Sequence, residues 1–537
     1  MIPVPHFLRS TRFFSLLLVT LLAGCQPIAP TANDPGNGME TDASGSSLGQ
    51  TTIELYHFSD YHSHALPDFA EGDPSRGGIA RVVGLLEAAR AENPHVLVFS
   101  GGDMMNLNNP IWSDEYTCTE WSWLNGLIDG MALGNLELDY GPEAFADCIN
   151  NTLYPILSSG LVYSETLAPM LPEYAVYEVD GVRIGVFGVA GNDFPRIVRA
   201  ELLPPNTRWL TGEEKLARAA ELVETLRTRE AADVVISIGH QSREEDEAMA
   251  KAVPGIDLIL GTHSHLKVPL GKIEGTDTYY ISPFQYLGYV SHVLLHLTDG
   301  QLTEITGGLI AIDDTTPDDD LLTTKVEEMQ DSLEEKHPER FEVLGEAATL
   351  IDNTDINLGE TGIGNFVTDL ARQAVNAHVF LSTSSSFRAA LPPGPITRED
   401  YLTALPYANA IVTAEMSGEQ LMALLALSAS KRGSDAFSQS SGVRYTLHTS
   451  DNSVSNVQVI SDPTDPTSAY VDLDLAATYR VATTNFQALI AGGYSDLFAQ
   501  AANLKNTEID INELVIEYIR THSPVAGDVD GRVQVVE

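Results

Sequence analysis

Basic residues are scarce in this chain. Lys and Arg together number 30 in 537 residues, against 75 Asp and Glu, for a net charge of −45. A surface of that sign repels nucleic acid backbones and anionic membranes, which excludes polymer binding through phosphates. An anionic substrate has to be captured locally, by metal ions or a few arginines. Cysteine is rarer still, with three in the chain. Only two of them lie beyond the first 25 residues, too few for a structural zinc site. No apolar run after those first residues is long enough to span a membrane, and there is no internal repeat.

The first 25 residues read as an export signal. Arg9 and Arg12 supply the positive end, and residues 13–22 form an apolar run too short to cross a bilayer. The run ends in LLAGC, residues 21–25, which resembles the bacterial lipobox, whose cysteine is lipidated and becomes the new N-terminus. Cys25 is therefore expected to carry a lipid; a buried structural cysteine is the other reading. Residues 26–50 are rich in Pro, Gly, Ser, Thr, Asn and Asp and read as a disordered tether. The protein is thus expected to be exported and anchored as a lipoprotein, on the outer face of the cell membrane or in the periplasm. Export favours a disulfide between Cys118 and Cys148 over two free thiols.

A length of 537 residues exceeds one ordinary core and implies two large domains. Residues 51–315 alternate strands with helices, which predicts an α/β layered domain with polar groups at the C-terminal ends of strands. IARVVGLLEAARAE has helical spacing, and YAVYEVDGVRIGVF reads as a hairpin turning at Asp180 and Gly181. Residues 316–339 form a charged connecting helix. Residues 340–537 mix helices and strands in a second, α+β domain.

In the first domain several apolar strands end in a metal-binding residue type. Asp60 and His62 lie in FSDYHSH, Asp103 in SGGD and Asn135 in LGN; His240 follows in SIGH, then His263 and His265 in GTHSH. One such residue is ordinarily a loop or capping group. Two carboxylates, an amide and four histidines on five strand ends of one sheet would instead converge on one rim. Imidazole with carboxylate suits Zn, Mn, Fe or Co better than Mg or Ca, and a bridging carboxylate can hold two ions roughly 3.5–4 Å apart.

The ordered series D-x-H, GGD, GN-x-E-x-D, strand-end His and H-x-H closely resembles the calcineurin-like metallophosphoesterases, and more narrowly the bacterial 5′-nucleotidase and cyclic-nucleotide phosphodiesterase group. GETGIGNFVTDLAR and SFRAALPPGPITREDYLTALPYANAIVTAEMSGEQL extend the resemblance into the second domain. It implies a four-layer β-sandwich flanked by helices, followed by a 5′-nucleotidase-type C-terminal domain. It implies that Asp60, His62, Asp103 and His265 hold one divalent transition-metal ion. Asp103, Asn135, His240 and His263 hold the other, with Asp103 as the bridge, and the pair activates water against a small phosphoester. Tyr407 and Phe486 match two aromatics that stack a nucleoside base, and Arg388 matches a substrate-binding arginine. From the residues alone, core packing is the reading for both rings.

The chain departs from that family at one conspicuous position. The family usually has GNHE-x-D, with the histidine over the transferring phosphate and the aspartate keeping it protonated. Here residues 134–139 read GNLELD, so Leu136 replaces the histidine while Asp139 remains. Three readings stay open. The enzyme acts on a substrate with a good leaving group; another group compensates; or the chain binds without turnover, as a nucleotide-capturing surface lipoprotein. His64 is a candidate for the compensating group, although a solvent-exposed loop histidine is the simpler expectation for it. Retention of all seven donor positions favours catalysis. A sulfur-ester hydrolase of the same architecture is a further alternative. In the second domain N-G-G-G-x-R becomes TSSSFR, with Thr383 for the base-contacting Asn, and another arginine position falls near Asn357. These changes weaken the case for nucleoside 5′-monophosphates as the specific substrate.

Overall fold

The computed structural model describes residues 49–67 and 72–537. The lipobox with Cys25 and nearly all of the tether lie outside the described residues. The first strand begins at Gln50, so the stretch read as tether ends one residue earlier than expected. Among the described residues, no helix is long and apolar enough to cross a membrane.

Two six-stranded sheets build the first half. One runs in the order Gln301–Ala311, Tyr289–Thr298, Gln50–Phe58, Leu97–Ser100, Gly130–Ala132, Ile156–Leu157. The other runs Lys267–Lys272, Tyr279–Pro283, Leu258–Leu260, Val234–Ser237, Val182–Phe187, Tyr174–Val179. Strand side chains alternate between faces, and the sequence uses both. From Gln50–Phe58, Ile53 and Leu55 enter the core between the sheets beside Ile184, Ile236 and Leu258. Tyr56 and Phe58 face outward into a second core with Val83 and Leu86 of helix Ile79–Glu92. Across the other sheet, Val235 and Ile259 pack under Leu222 and Met249 from helices Gly212–Thr228 and Arg243–Ala252. The result is four layers, helix on sheet on sheet on helix. The hairpin turns at Asp180 and Gly181, both with positive φ of 51° and 79°, as a two-residue turn of that twist requires.

Helix Asp320–Lys336 is capped by the Asp319 carboxylate, which accepts from Leu322 N at 2.6 Å. The charged connector does not stand free. Leu322, Val326 and Leu333 join the same core as helix Ile79–Glu92, and the Tyr116 hydroxyl donates to Met329 O at 2.6 Å.

In the second half a five-stranded sheet runs Ser438–Ser441, Val379–Thr383, Thr478–Thr484, Ala410–Ser417, Ala502–Asp510. Helices Gly362–Ala374 and Ile511–His522 pack with one face through Ile363, Phe380 and Val515. Helix Gly418–Ser430 and a four-stranded sheet cover the other through Leu421, Val443 and Leu447. Cys118 and Cys148 are joined by a disulfide.

Candidate functional site

The donors follow strands from both sheets rather than one. Asp60 and His62, Asp103 and Asn135 follow Gln50–Phe58, Leu97–Ser100 and Gly130–Ala132, which run parallel in the first sheet. His240, His263 and His265 follow Val234–Ser237 and Leu258–Leu260 of the second. A rim drawn from two packed sheets surrounds a point more completely than one sheet edge can, which strand-by-strand reading of the sequence does not reveal.

Two clusters result. Asp60, His62 and His265 offer ligand atoms within 4.8 Å of one another, and so do Asp103, His240 and His263. His265 Nε2 lies 3.3 Å, and His62 Nε2 3.9 Å, from Asp60 Oδ1. His240 Nε2 lies 3.2 Å from Asp103 Oδ2 and 3.7 Å from Asp60 Oδ1, so the Asp60 oxygen is within 4 Å of histidines from both clusters. Asp103 has its Oδ1 engaged by Leu136 N at 2.9 Å.

Buried charge sets the protonation of these groups. Burial raises the Asp60 carboxyl, but hydrogen bonding from His265 and the charge of His240 outweigh it and keep Asp60 ionised. Burial lowers His62, and the neighbouring His265 adds to this. Burial also lowers His265, joined by the Arg388 charge. Both rings are therefore neutral, the form that binds a cation. Burial opposes protonation of His240 as well, yet without an ion Asp103 overrides it and lifts the ring to about 10, so a cation bound at Nε2 would have to displace that proton.

The residues fit a pair of divalent ions. The Asn135 Oδ1 atom is buried and has no hydrogen-bond partner, a costly arrangement unless another group satisfies it. His240 Nδ1 is turned to Gly101 O at 2.7 Å, which leaves Nε2 as the nitrogen for the site. His62 Nε2 and His265 Nε2 face one another at 3.0 Å, two donors aimed at the same space. A set of four imidazoles, two carboxylates and one amide is borderline-soft and suits transition metals.

Glu137 is a residue whose role the sequence reading left unassigned. Its buried carboxylate accepts from Gly134 N at 2.7 Å, Met104 N at 2.6 Å and Asp103 N at 3.1 Å. It ties the loop bearing Asp103 to the loop bearing Asn135. The E of GN-x-E-x-D was the available signal.

Beside these clusters, Leu136 begins the short 3₁₀ turn Leu136–Leu138. Burial, then the Asp103 charge, pushes the Asp139 carboxyl up to about 7. His64 is not the exposed loop residue expected from sequence. It is buried and its ring stacks on Tyr286 at 3.7 Å, centroid to centroid, with Tyr286 tied to the same loop by its N–H to Asp60 O at 2.8 Å.

From the second half, Arg388 reaches the first cluster. It contacts His265 Nδ1 and donates to the Tyr407 hydroxyl at 2.8 Å. With His265, Ser384, Ser385, Asn357 and Asp435 it lines a cavity of about 330 Å³. A second cavity of about 390 Å³ is lined by His263, Thr383, Ser385, Asp435 and Phe486. Tyr407 and Phe486 belong to none of the described hydrophobic cores. Nor do they line a common cavity: Tyr407 lines a small cleft with Phe387 and Thr484.

The family models for Calcineurin-like phosphoesterase and for 5′-nucleotidase, C-terminal domain match residues 53–267 and 343–500. The chain is 24% identical over 542 residues to the trifunctional nucleotide phosphoesterase protein YfkN of Bacillus subtilis, an alignment covering 91% of this chain and 35% of that protein. It is 25% identical over 526 residues to the protein UshA of Yersinia enterocolitica, covering 88% and 92%. It thus spans about a third of the first relative's length and nearly all of the second's. Among solved structures, the 5′-nucleotidase precursor of Thermus thermophilus shares the fold with a TM-score of 0.71 at 24% identity, over 90% of this chain and 99% of that one. The sulfate thiohydrolase SoxB of Thermus thermophilus does so with a TM-score of 0.69 at 20% identity, over 90% and 96%. With both domain models in their order along it, the chain belongs to the metal-dependent phosphoester hydrolases that join a calcineurin-like phosphoesterase domain to a 5′-nucleotidase C-terminal domain.

Proposed function

We propose that this chain hydrolyses nucleotides or related small phosphoesters outside the cytoplasm, and that Leu136 restricts it to leaving groups that need little protonation. One observation carries the reading. Six side chains from two sheets gather into two clusters of metal-binding type, and the nearby Asn135 Oδ1 atom is buried without a hydrogen-bond partner.

In this reading Asp60, His62 and His265 hold one ion, Asn135, His240 and His263 the other, and Asp103 is shared. When bound, two such ions neutralise phosphoryl oxygens and acidify a water for in-line attack. The chain's own groups do the rest. Arg388, in the lining of the 330 Å³ cavity, presents a cation to the anionic substrate. Tyr407, held by that arginine, and Phe486, on the neighbouring cavity, offer aromatic faces to a base. Asp139, poised near 7, retains a proton through part of the neutral range. Leu136 has no proton to donate, so departure of a poor leaving group goes unassisted.

The domain bounds proposed are 51–315 for the metal-bearing part and 340–537 for the substrate-bearing part, with 316–339 between them. Export and lipidation at Cys25 are supported by the N-terminal sequence and by the Cys118–Cys148 disulfide, a bond typical of oxidising compartments. A Cys25→Ser variant should move the protein from the membrane fraction to the soluble fraction.

The central test is metal analysis with activity. Purified chain is expected to carry close to two transition-metal ions and, with Mn²⁺ added, to hydrolyse members of a panel of nucleotides, cyclic nucleotides and aryl phosphates. A chain that stays metal-free after reconstitution with Mn²⁺ or Zn²⁺ would sink the proposal. Nucleotide binding without turnover would assign it to capture instead.

A further inference from the structure

The loop after strand Val182–Phe187 has no part in the reading above, and no motif in the sequence singled it out. It carries Asp193 and closes as the short helix Phe194–Ile197. Asp193 Oδ2 lies 3.1 Å from His263 Nε2. The other carboxylate oxygen, Oδ1, is buried and has no hydrogen-bond partner. The Phe194 ring stands 5.8 Å from the His263 ring and 6.0 Å from the His240 ring, centroid to centroid. Asn192 fixes the loop from its far end: its N–H donates to Glu245 Oε1 at 2.9 Å, and its Oδ1 accepts from Gly212 N at 2.8 Å.

An imidazole has two nitrogens, and a metal ion needs the lone pair of one. Asp193 occupies Nε2, which leaves Nδ1 as the nitrogen that can face an ion. A carboxylate accepting the Nε2 proton keeps the ring in the tautomer whose Nδ1 is bare. It also holds the ring plane, and it makes the free nitrogen a stronger donor. Phe194 limits how far the ring can tilt.

We propose that Asp193 is a positioning residue for one metal of the pair, holding His263 through Nε2 so that Nδ1 is the donating atom. The proposal rests on the reading that Asp103, His240 and His263 hold a divalent ion. It adds a residue outside the seven donors and names which nitrogen of His263 is used.

The test is calorimetric titration of the metal-stripped full chain with Mn²⁺, for wild type, Asp193→Asn and Asp193→Ala. Wild type is expected to bind two ions. Asp193→Ala should weaken one step by about 10–100-fold and leave the other within about twofold, the usual effect of losing such a partner. Asp193→Asn keeps an acceptor oxygen without the charge and should fall between them. Unfolding of the metal-free proteins should be the same for all three. Two unchanged steps in Asp193→Ala would overturn the proposal. So would equal weakening of both steps with a lower metal-free unfolding temperature in both variants, the mark of a structural role. Wild type that binds no Mn²⁺ would overturn the metal reading itself, an outcome separate from the other two.

Discussion

Restoring a histidine at position 136 probes the reaction most directly. The turn Leu136–Leu138 is 3₁₀, and Asp139 N donates to Leu136 O at 3.0 Å. In that geometry residues three apart eclipse, so a histidine at 136 stands over the Asp139 carboxyl. The Leu136 N–H bond to Asp103 Oδ1 belongs to the backbone and survives the substitution. Asp139, now pushed up to about 7 by burial and by Asp103, would gain a cationic neighbour that draws it down and keeps the ring charged. A proton donor at the leaving oxygen accelerates such reactions by about 10²–10⁴-fold, or about 3–5 kcal/mol of barrier. The assay is kcat at saturating Mn²⁺ for a nucleoside monophosphate and for a nitrophenyl phosphate. Leu136→His should raise the first within that range and the second little, because nitrophenolate departs without a proton. An equal rise on both substrates, or none on either, would refute the reasoning.

Two further substitutions test how the site is supported. Burial lifts the Glu120 carboxyl from an ordinary 4.5 to about 7, despite hydrogen bonds from Trp112 and Tyr61. A carboxyl with a raised folded pKa stays protonated in the native state longer than in the unfolded one. Wild-type stability should therefore fall as pH climbs from about 4.5 to 7, by up to about 3 kcal/mol from this group. Glu120→Gln should flatten that slope in urea denaturation at pH 5 and pH 8, and an unchanged slope would count against it. Gly134→Ala would put a Cβ 2.2 Å from Asp103 Oδ1 and 2.6 Å from Glu137 Oε2. Asp103 must then move, and bound metal should drop well below two ions per chain by elemental analysis; full metal content would show that the loop can yield.

Much of this was legible because strands and donors leave local marks. The strand Gln50–Phe58 alternates faces, helix Ile79–Glu92 keeps its apolar spacing, and the turn at Asp180 and Gly181 announces the hairpin. Each of the seven candidate donors follows an apolar strand, and six of them gather into two clusters of metal-binding type. Pairing between strands could not be read, since nothing local says that Gly130–Ala132 and Val234–Ser237 lie in different sheets. Strand-by-strand reading therefore suggested one sheet, whereas the family resemblance implied the sandwich of two that is found. His64 sits in a polar string and looked exposed, but its burial depends on Tyr286, more than two hundred residues away. Glu137 and Asp193 act through contacts to backbone amides and to a distant ring. Their chemistry resides in the partner, and the partner is set by the fold.

The backbone at the donors shows where the energy to build this site comes from. Asp60, His62, Asp103, His263 and His265 all have φ between 50° and 59°. That is the left-handed region, where a residue with a Cβ is strained by about 1–2 kcal/mol. Five of the seven donors adopt it, which puts several kcal/mol of strain at one rim. The loops hold each other there. Asp60 N donates to Gly102 O at 3.0 Å and His62 N to Asp103 O at 3.0 Å, while Tyr286 N donates to Asp60 O at 2.8 Å. Gly102, at φ 87°, supplies the sharp turn that brings its carbonyl into place. These bonds are backbone to backbone, so the loops carry a restraint of their own, and the donors are expected to stay arranged when metal is removed. Metal-stripped protein is thus expected to keep a cooperative unfolding transition, shifted down only by the loss of ligand linkage. A small metallo-domain whose fold depends on its ion would instead lose the transition outright, and that result here would show that the ions, rather than the strands, hold the rim together.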